Sequence, residues 1–172
     1  DKQSHHYLES FAELLASLHA APVADAVKAG IQHSTPAMAR DKFRADLERV
    51  KLELGIGKNL EGKMRQWLDD KTLWPQFSVL VHGDLYPGHV TADAPSRVTG
   101  VIDWPEAEVS DPSIDFAGHL ATFDLESLEK LVKAYSHAGG RTWPTMVEQI
   151  KNRHAAVGIK YGIFALTSQK ED

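Results

Sequence analysis

His82-Gly83-Asp84-Leu85-Tyr86-Pro87-Gly88-His89, followed by Ile102-Asp103-Trp104, is the stretch on which the fold turns. Just upstream, Phe77, Val79 and Val81 alternate with the period of a short strand. Val90 to Ala92 and Val98 to Ile102 are β-like runs, and the turn-rich Asp93-Ala94-Pro95-Ser96 between them predicts a hairpin. Asp84 therefore stands just after a strand, behind a glycine that permits backbone conformations other residues resist. A carboxylate so placed can take a proton from a substrate hydroxyl, typically worth about 10²–10⁴ in rate. A lone loop aspartate more often bonds backbone amides. The hairpin brings residues 89 and 103 to face each other across its open end. Mg²⁺ prefers oxygen ligands and shares its other positions with water and phosphate, which suits Asp103. His89 suits it less, because imidazole favours zinc and other transition metals; a structural, hydrogen-bonded His89 is an equal reading. Glu106, Glu108, Asp111 and Asp115 follow. Asp111, before Pro112, reads best as a helix cap, and Asp115 as a loop support through backbone amides.

Outward from this core the period becomes helical. Residues 5–20 place Tyr7, Leu8, Phe11, Leu14, Leu15 and Leu18 on one stripe. Residues 21–34, with Pro22 and Gly30, read as a loop. Thr35-Pro36 supplies a cap and a first-turn proline for a helix carrying Phe43, Leu47, Val50 and Leu54, which Gly55 and Gly57 end. A third helix at about 58–70 carries Leu60, Met64, Trp67 and Leu68. After residue 111, Asp124 can cap a helix bearing Leu125, Leu128, Leu131, Val132 and Tyr135. Thr142 can cap a last helix, with Pro144 in its first turn and Ile150, Val157, Tyr161 and Phe164 beyond. The predicted class is mostly α with a small central β-hairpin insert. It divides into a helical part (1–76), a catalytic-loop and hairpin part (77–110) and C-terminal helices (111–172).

The 172 residues suit one domain or one lobe, with 42% hydrophobic and 25% charged residues. A net charge of −5 favours no nucleic-acid partner. There is no cysteine, so thiolate metal sites and disulfides are excluded and the reducing cytoplasm is the natural compartment. No apolar run approaches the roughly 20 residues of a membrane helix, and Asp1 to His6 do not resemble a signal peptide.

His-Gly-Asp, a second ligand position five residues after Asp84, and a hydrophobic strand ending in Asp103 together resemble the Brenner-type motif of aminoglycoside phosphotransferases. Those enzymes are built like protein kinases, whose catalytic loop has the same spacing and whose Asp-Phe-Gly aspartate holds magnesium. Here Trp104-Pro105 replaces Phe-Gly, and His89 stands where most of the superfamily has Asn. Gly88-His89, Ile102-Asp103-Trp104 and Glu106-Ala107-Glu108 together look like the macrolide phosphotransferase branch. The motif covers 80–116, and the helical order fits a C-terminal kinase-like lobe over essentially the whole chain; Leu18-His19 resembles an early helix of that lobe.

The resemblance implies transfer of the γ-phosphoryl of GTP, or of ATP, to the amino-sugar 2′-hydroxyl of a macrolide antibiotic such as erythromycin. It makes Asp84 the catalytic aspartate and places His89 and Asp103 at the Mg²⁺–nucleotide end. Ile102 becomes part of the floor under the purine, and Tyr86 and Glu106 join Asp84 on the acceptor side. His82, Asp111 and Asp115 become structural supports, and Trp104 a core residue. Tyr135, Trp143, Tyr161 and Phe164 are each either core or an apolar wall for the macrolide. The phosphate-covering loop and strand lysine of such a fold have no counterpart here: Gly55-Ile56-Gly57-Lys58 follows a helix and lacks the P-loop spacing. The expectation is that they lie upstream of Asp1, that the 172 residues alone are inactive or nearly so, and that the uncovered face promotes self-association. Three alternatives stand: a related kinase for an aminoglycoside, homoserine or choline; a metallohydrolase using His82, Asp84, His89 and Asp103; and a non-catalytic binding lobe.

Overall fold

The computed structural model describes residues 5–93 and 96–168. Ala94 and Pro95 of the expected turn, the first four residues and residues 169–172 lie outside them. Eight α-helices and four short strands are described: α1 (His5–His19), α2 (Val23–Lys28), α3 (Pro36–Glu53), α4 (Lys58–Asp69), β1 (Val79–Val81), β2 (Val90–Asp93), β3 (Arg97–Val101), β4 (Glu108–Ser110), α5 (Ile114–Thr122), α6 (Leu125–His137), α7 (Met146–Ala155) and α8 (Val157–Ser168). The chain is mostly helical with a small β part, as expected.

The local signals that predicted helices operate as caps. Thr35 accepts from Met38 N–H at the start of α3, and Asp124 accepts from Ser127 N–H at the start of α6. β2 and β3 pair antiparallel, Val90 opposite Val101, with an irregularity between Thr91 and Ala92. Near it, Val98 N–H donates to Ser10 Oγ, which ties the hairpin to α1.

Three expectations need correction. The stretch 21–34 holds α2, and His33 bridges Val109 in parallel fashion. Val109 belongs to β4, which pairs antiparallel with β1, Leu80 opposite Val109. The hairpin is thus one of two small sheets. The last helix is two helices: α7 begins at Met146 with Thr145, not Thr142, at its N-cap, and the chain breaks again at Ala156. That break lets Ile150 enter one core and Ala156 and Ile159 another.

The first core joins α1, α5, α6 and the hairpin through Phe11, Leu15, Phe116, Leu128, Leu131 and Tyr135, and includes Leu85 from the loop. The second packs α3, α4 and α8 around Leu47, Val50, Trp67 and Trp74. A buried polar chain bridges the two. Trp67 Nε1–H donates to Gln149 Oε1 (2.7 Å), Gln149 Nε2–H to Asp111 Oδ2 (2.7 Å), and Arg153 Nη2–H to the same oxygen (2.7 Å). No described helix is long and apolar enough to cross a membrane.

His119 on α5 is buried beside Phe11 and Phe123, and its Nδ1 has no partner among the described residues. Burial pulls its pKa from 6.5 to about 4. The folded state thus keeps it neutral while the unfolded chain takes a proton. Its stabilising contribution is complete above about pH 6.5 and is lost as pH falls toward about 4. At about 1.4 kcal/mol per pH unit, lowering pH from 6.5 to 5 costs about 2 kcal/mol. Urea unfolding at pH 7.5 and at pH 5 should show that loss in the wild type and a smaller one in His119→Phe. Equal losses in both would contradict it.

Candidate active site

The loop after β1 is pinned on both sides. Leu85 is buried in the first core, so the next residue back, Asp84, is turned outward with half its side chain exposed. Gly83 has φ +88°, and a Cβ there would strike the Glu106 carbonyl oxygen. Gly118 of α5 is as close to the Leu85 carbonyl, so α5 lies directly against the loop.

Asp115, at the start of α5, is fully buried and accepts from both amides ahead of Asp84: His82 N–H (2.8 Å) and Gly83 N–H (3.0 Å). Its Oδ2 also receives His19 Nε2–H at 3.3 Å, and His19 Nδ1 in turn faces the Tyr135 hydroxyl at 2.9 Å. Burial raises Tyr135 to about 12, so its hydroxyl stays protonated and donates.

His82 lies inside the fold. The Ile102 carbonyl can only accept, so Nε2 carries the proton toward it (2.9 Å) and Nδ1 accepts from Asp84 N–H (3.4 Å). Both ring nitrogens are occupied by backbone. Trp104, expected in the core, is instead 41% exposed and lies over the His82 ring at 4.8 Å, its Nε1–H on the Val101 carbonyl. The ladder ends at the Val90–Val101 pair, so Trp104 lies beyond it.

His89 and Asp103 meet across the end of the hairpin, with Nε2 and Oδ2 3.3 Å apart. His89 Nδ1–H donates to the Asp84 carbonyl (2.9 Å), so Nε2 is the ring nitrogen that faces the Asp103 carboxylate. Tyr86 packs against His89 with its ring tilted and the centroids 4.3 Å apart, and Gly88 makes room for the Tyr86 ring. Asp103 has φ +69°, a left-handed conformation that is strained for a non-glycine residue. Ile102 beside it is 52% exposed, and Glu106 presents an exposed side chain on the same rim.

Asp84, His89 and Asp103 are therefore brought together. The His82 ring lies beside that of His89, centroids 5.8 Å apart, but both its nitrogens face backbone, and among the described residues no three of His, Cys, Asp or Glu assemble as a metal site. Asp111, expected to cap a helix, does accept from Ser113 N–H (2.9 Å), but it is mainly the buried anion for Arg153 and Gln149. Ser113 holds the N-cap position of α5. Of the four aromatics, Tyr135 is core, and Trp143 is half-buried and donates to the Leu73 carbonyl. Tyr161 and Phe164 are 69% and 68% exposed on α8. Sequence reasoning missed Lys160, whose Nζ lies 3.7 Å from Asp84 Oδ1.

Similarity to known proteins agrees with this geometry. Residues 1–148 match the model of the phosphotransferase enzyme family. Macrolide 2′-phosphotransferase type I superposes with a TM-score of 0.95 and 47% identity, covering 98% of this chain and 56% of its own. The macrolide 2′-phosphotransferase MphH of Brachybacterium faecium gives a TM-score of 0.90 and 36% identity, over 96% of this chain and 56% of its own. YcbJ of Bacillus subtilis strain 168, an uncharacterized protein, is 36% identical over 96% of this chain and 54% of its length. The chain thus spans about half the length of the relatives it matches. The paired loop and hairpin, the buried Asp115 brace and this similarity over most of the chain place it in the phosphotransferase enzyme family, with that family's kinase-like fold.

Proposed function

We propose that the protein carrying this chain transfers the γ-phosphoryl group of GTP, or of ATP, to the amino-sugar 2′-hydroxyl of a macrolide antibiotic. One observation carries the reading: the 47% identity to macrolide 2′-phosphotransferase type I over 98% of this chain, in a fold that sets His89 between Asp84 and Asp103.

In this reading Asp84 orients the acceptor hydroxyl and receives its proton. Asp103, with His89 beside it, would hold Mg²⁺; the exposed carboxylate is the hard oxygen donor that this ion prefers, and the imidazole 3.3 Å away suits it less well. The ion supplies charge neutralisation for the phosphates when bound. Ile102 forms part of the purine floor. Tyr86 and Glu106 border the acceptor, while His82, Asp111 and Asp115 keep the loop and its scaffold in place.

The substrate class also has a physical basis. The macrolide amino sugar is cationic next to its reactive hydroxyl, and the rest of the molecule is apolar. A carboxylate about 4 Å from that ammonium gains ~1 kcal/mol in water and ~4 kcal/mol in a partly shielded site, before desolvation. Asp84, Glu106 and Asp103 form an acidic rim, and the exposed Tyr161 and Phe164 supply apolar surface nearby. Tested on the full-length protein with GTP and ATP, erythromycin should be phosphorylated with a kcat/KM at least about 100-fold above that for kanamycin, homoserine or choline. Preference for any of those three would overturn the macrolide assignment and leave the family membership intact.

A further inference from the structure

Asp84 differs from the other two aspartates of the scaffold. Asp111 and Asp115 are fully buried and saturated with donors. Asp84 is half-exposed, and no backbone amide reaches its carboxylate among the described residues. His89 lies 3.9 Å from Oδ2, but its Nδ1–H is committed to the Asp84 carbonyl. The remaining partner is Lys160, 3.7 Å from Oδ1, with donors to spare. It comes from α8, outside every motif that the loop and hairpin contain.

The seat of α8 is firm. Ile159, the residue before Lys160, is buried in the second core. Gly162 lies so close to Val50 that a Cβ there would sit 2.9 Å from its Cγ2. Upstream, Arg153 in the last turn of α7 is fixed to Asp111. With Ile159 and Gly162 facing the core, Lys160 is turned toward the catalytic loop.

We propose that Lys160 is a positioning residue for phosphoryl transfer, holding the Asp84 carboxylate by Oδ1 and leaving Oδ2 for the acceptor hydroxyl. This rests on the reading of Asp84 given above. In the transfer, the acceptor oxygen bonds to the γ-phosphorus while the bond from that phosphorus to the bridging oxygen breaks. The hydroxyl proton goes to Asp84 and the nucleoside diphosphate leaves with the electron pair. Lys160 takes no part in the proton transfer. Its charge offsets the repulsion between the Asp84 carboxylate and the anionic group moving past it. In the open site the pair is half-exposed on both sides and worth little. Once acceptor and nucleotide displace water, a fall in effective dielectric from ~80 to ~20 strengthens it about fourfold.

The test is steady-state kinetics of the full-length enzyme with erythromycin and GTP. Lys160→Met should lower kcat about 10–100-fold while both KM values stay within about 3-fold, and Lys160→Arg should restore kcat to within about 3-fold of wild type. Lys160 is 58% exposed, so the melting temperature should not move. A Lys160→Met enzyme with unchanged or raised kcat would overturn the proposal, because the lysine would then be a bystander or a mask over Asp84. Asp84→Asn serves as the control: if it stays active, the reading of Asp84 fails and the role of Lys160 fails with it. If it is inactive while Lys160→Met is not, only the role of Lys160 fails.

Discussion

Asp84→Ala should lower turnover of the full-length enzyme by at least about 10³, with nucleotide affinity within a few-fold of wild type. The size follows from two losses. A positioned base is typically worth about 10²–10⁴, and the same carboxylate fixes the acceptor hydroxyl in line with the phosphorus. The fold should survive, because the side chain is half-exposed and supports no other residue through a hydrogen bond of its carboxylate. Asp84→Asn should be nearly as slow, since an amide keeps the shape and cannot take the proton. Far-ultraviolet circular dichroism and nucleotide titration alongside the rate would separate a chemical effect from a folding one. A mutant within about tenfold of wild type would show that the proton goes elsewhere.

Asp115→Ala should be costly in a different way. Its carboxylate accepts from His82 N–H, Gly83 N–H and His19 Nε2, all at a fully buried position. Truncation leaves two backbone amides and an imidazole unsatisfied, at ~1–3 kcal/mol for each buried group, so ~3–5 kcal/mol in total after relaxation. The amides concerned belong to the two residues ahead of Asp84, so the loop should loosen before the fold melts. Hydrogen exchange at His82 and Gly83 should accelerate by more than exchange in α3 or α4, and urea unfolding should move to lower concentration. Asp115→Asn keeps one acceptor oxygen and should fall between. Unchanged exchange at Gly83 in the alanine variant would mean that the loop is held by Leu85 and Gly118 alone.

Local signals made much of this architecture legible. The stripe of α1, the Thr35 and Asp124 caps and the hairpin are written in residues close together in the chain, and they appear where expected. What was hidden depends on distant partners. β4 is only Glu108-Val109-Ser110, too short for an alternating pattern, and it is a strand because β1 lies beside it. The break between α7 and α8 does not interrupt the apolar pattern; two separate cores demand it.

The candidate site divides in the same way. Asp84, His89 and Asp103 were readable together because a hairpin converts their spacing into proximity. Asp111 looked like a cap, since its true partners Gln149 and Arg153 come from another helix. Trp104 looked like core, but the ladder ends at Val101, and the ring packs tilted against His82 with the residue left partly exposed. Lys160 carried no signal, one lysine in a helix being ordinary until the fold sets it beside Asp84.

The most direct test of the central claim is product analysis. The full-length protein would be incubated with erythromycin, Mg²⁺ and γ-labelled GTP, and the product mapped by mass spectrometry and phosphorus NMR. The expected product carries the labelled phosphoryl group on the 2′-hydroxyl, and none forms with Asp84→Ala. A macrolide left unmodified by the active, nucleotide-hydrolysing enzyme, or one phosphorylated equally well by Asp84→Ala, would contradict it.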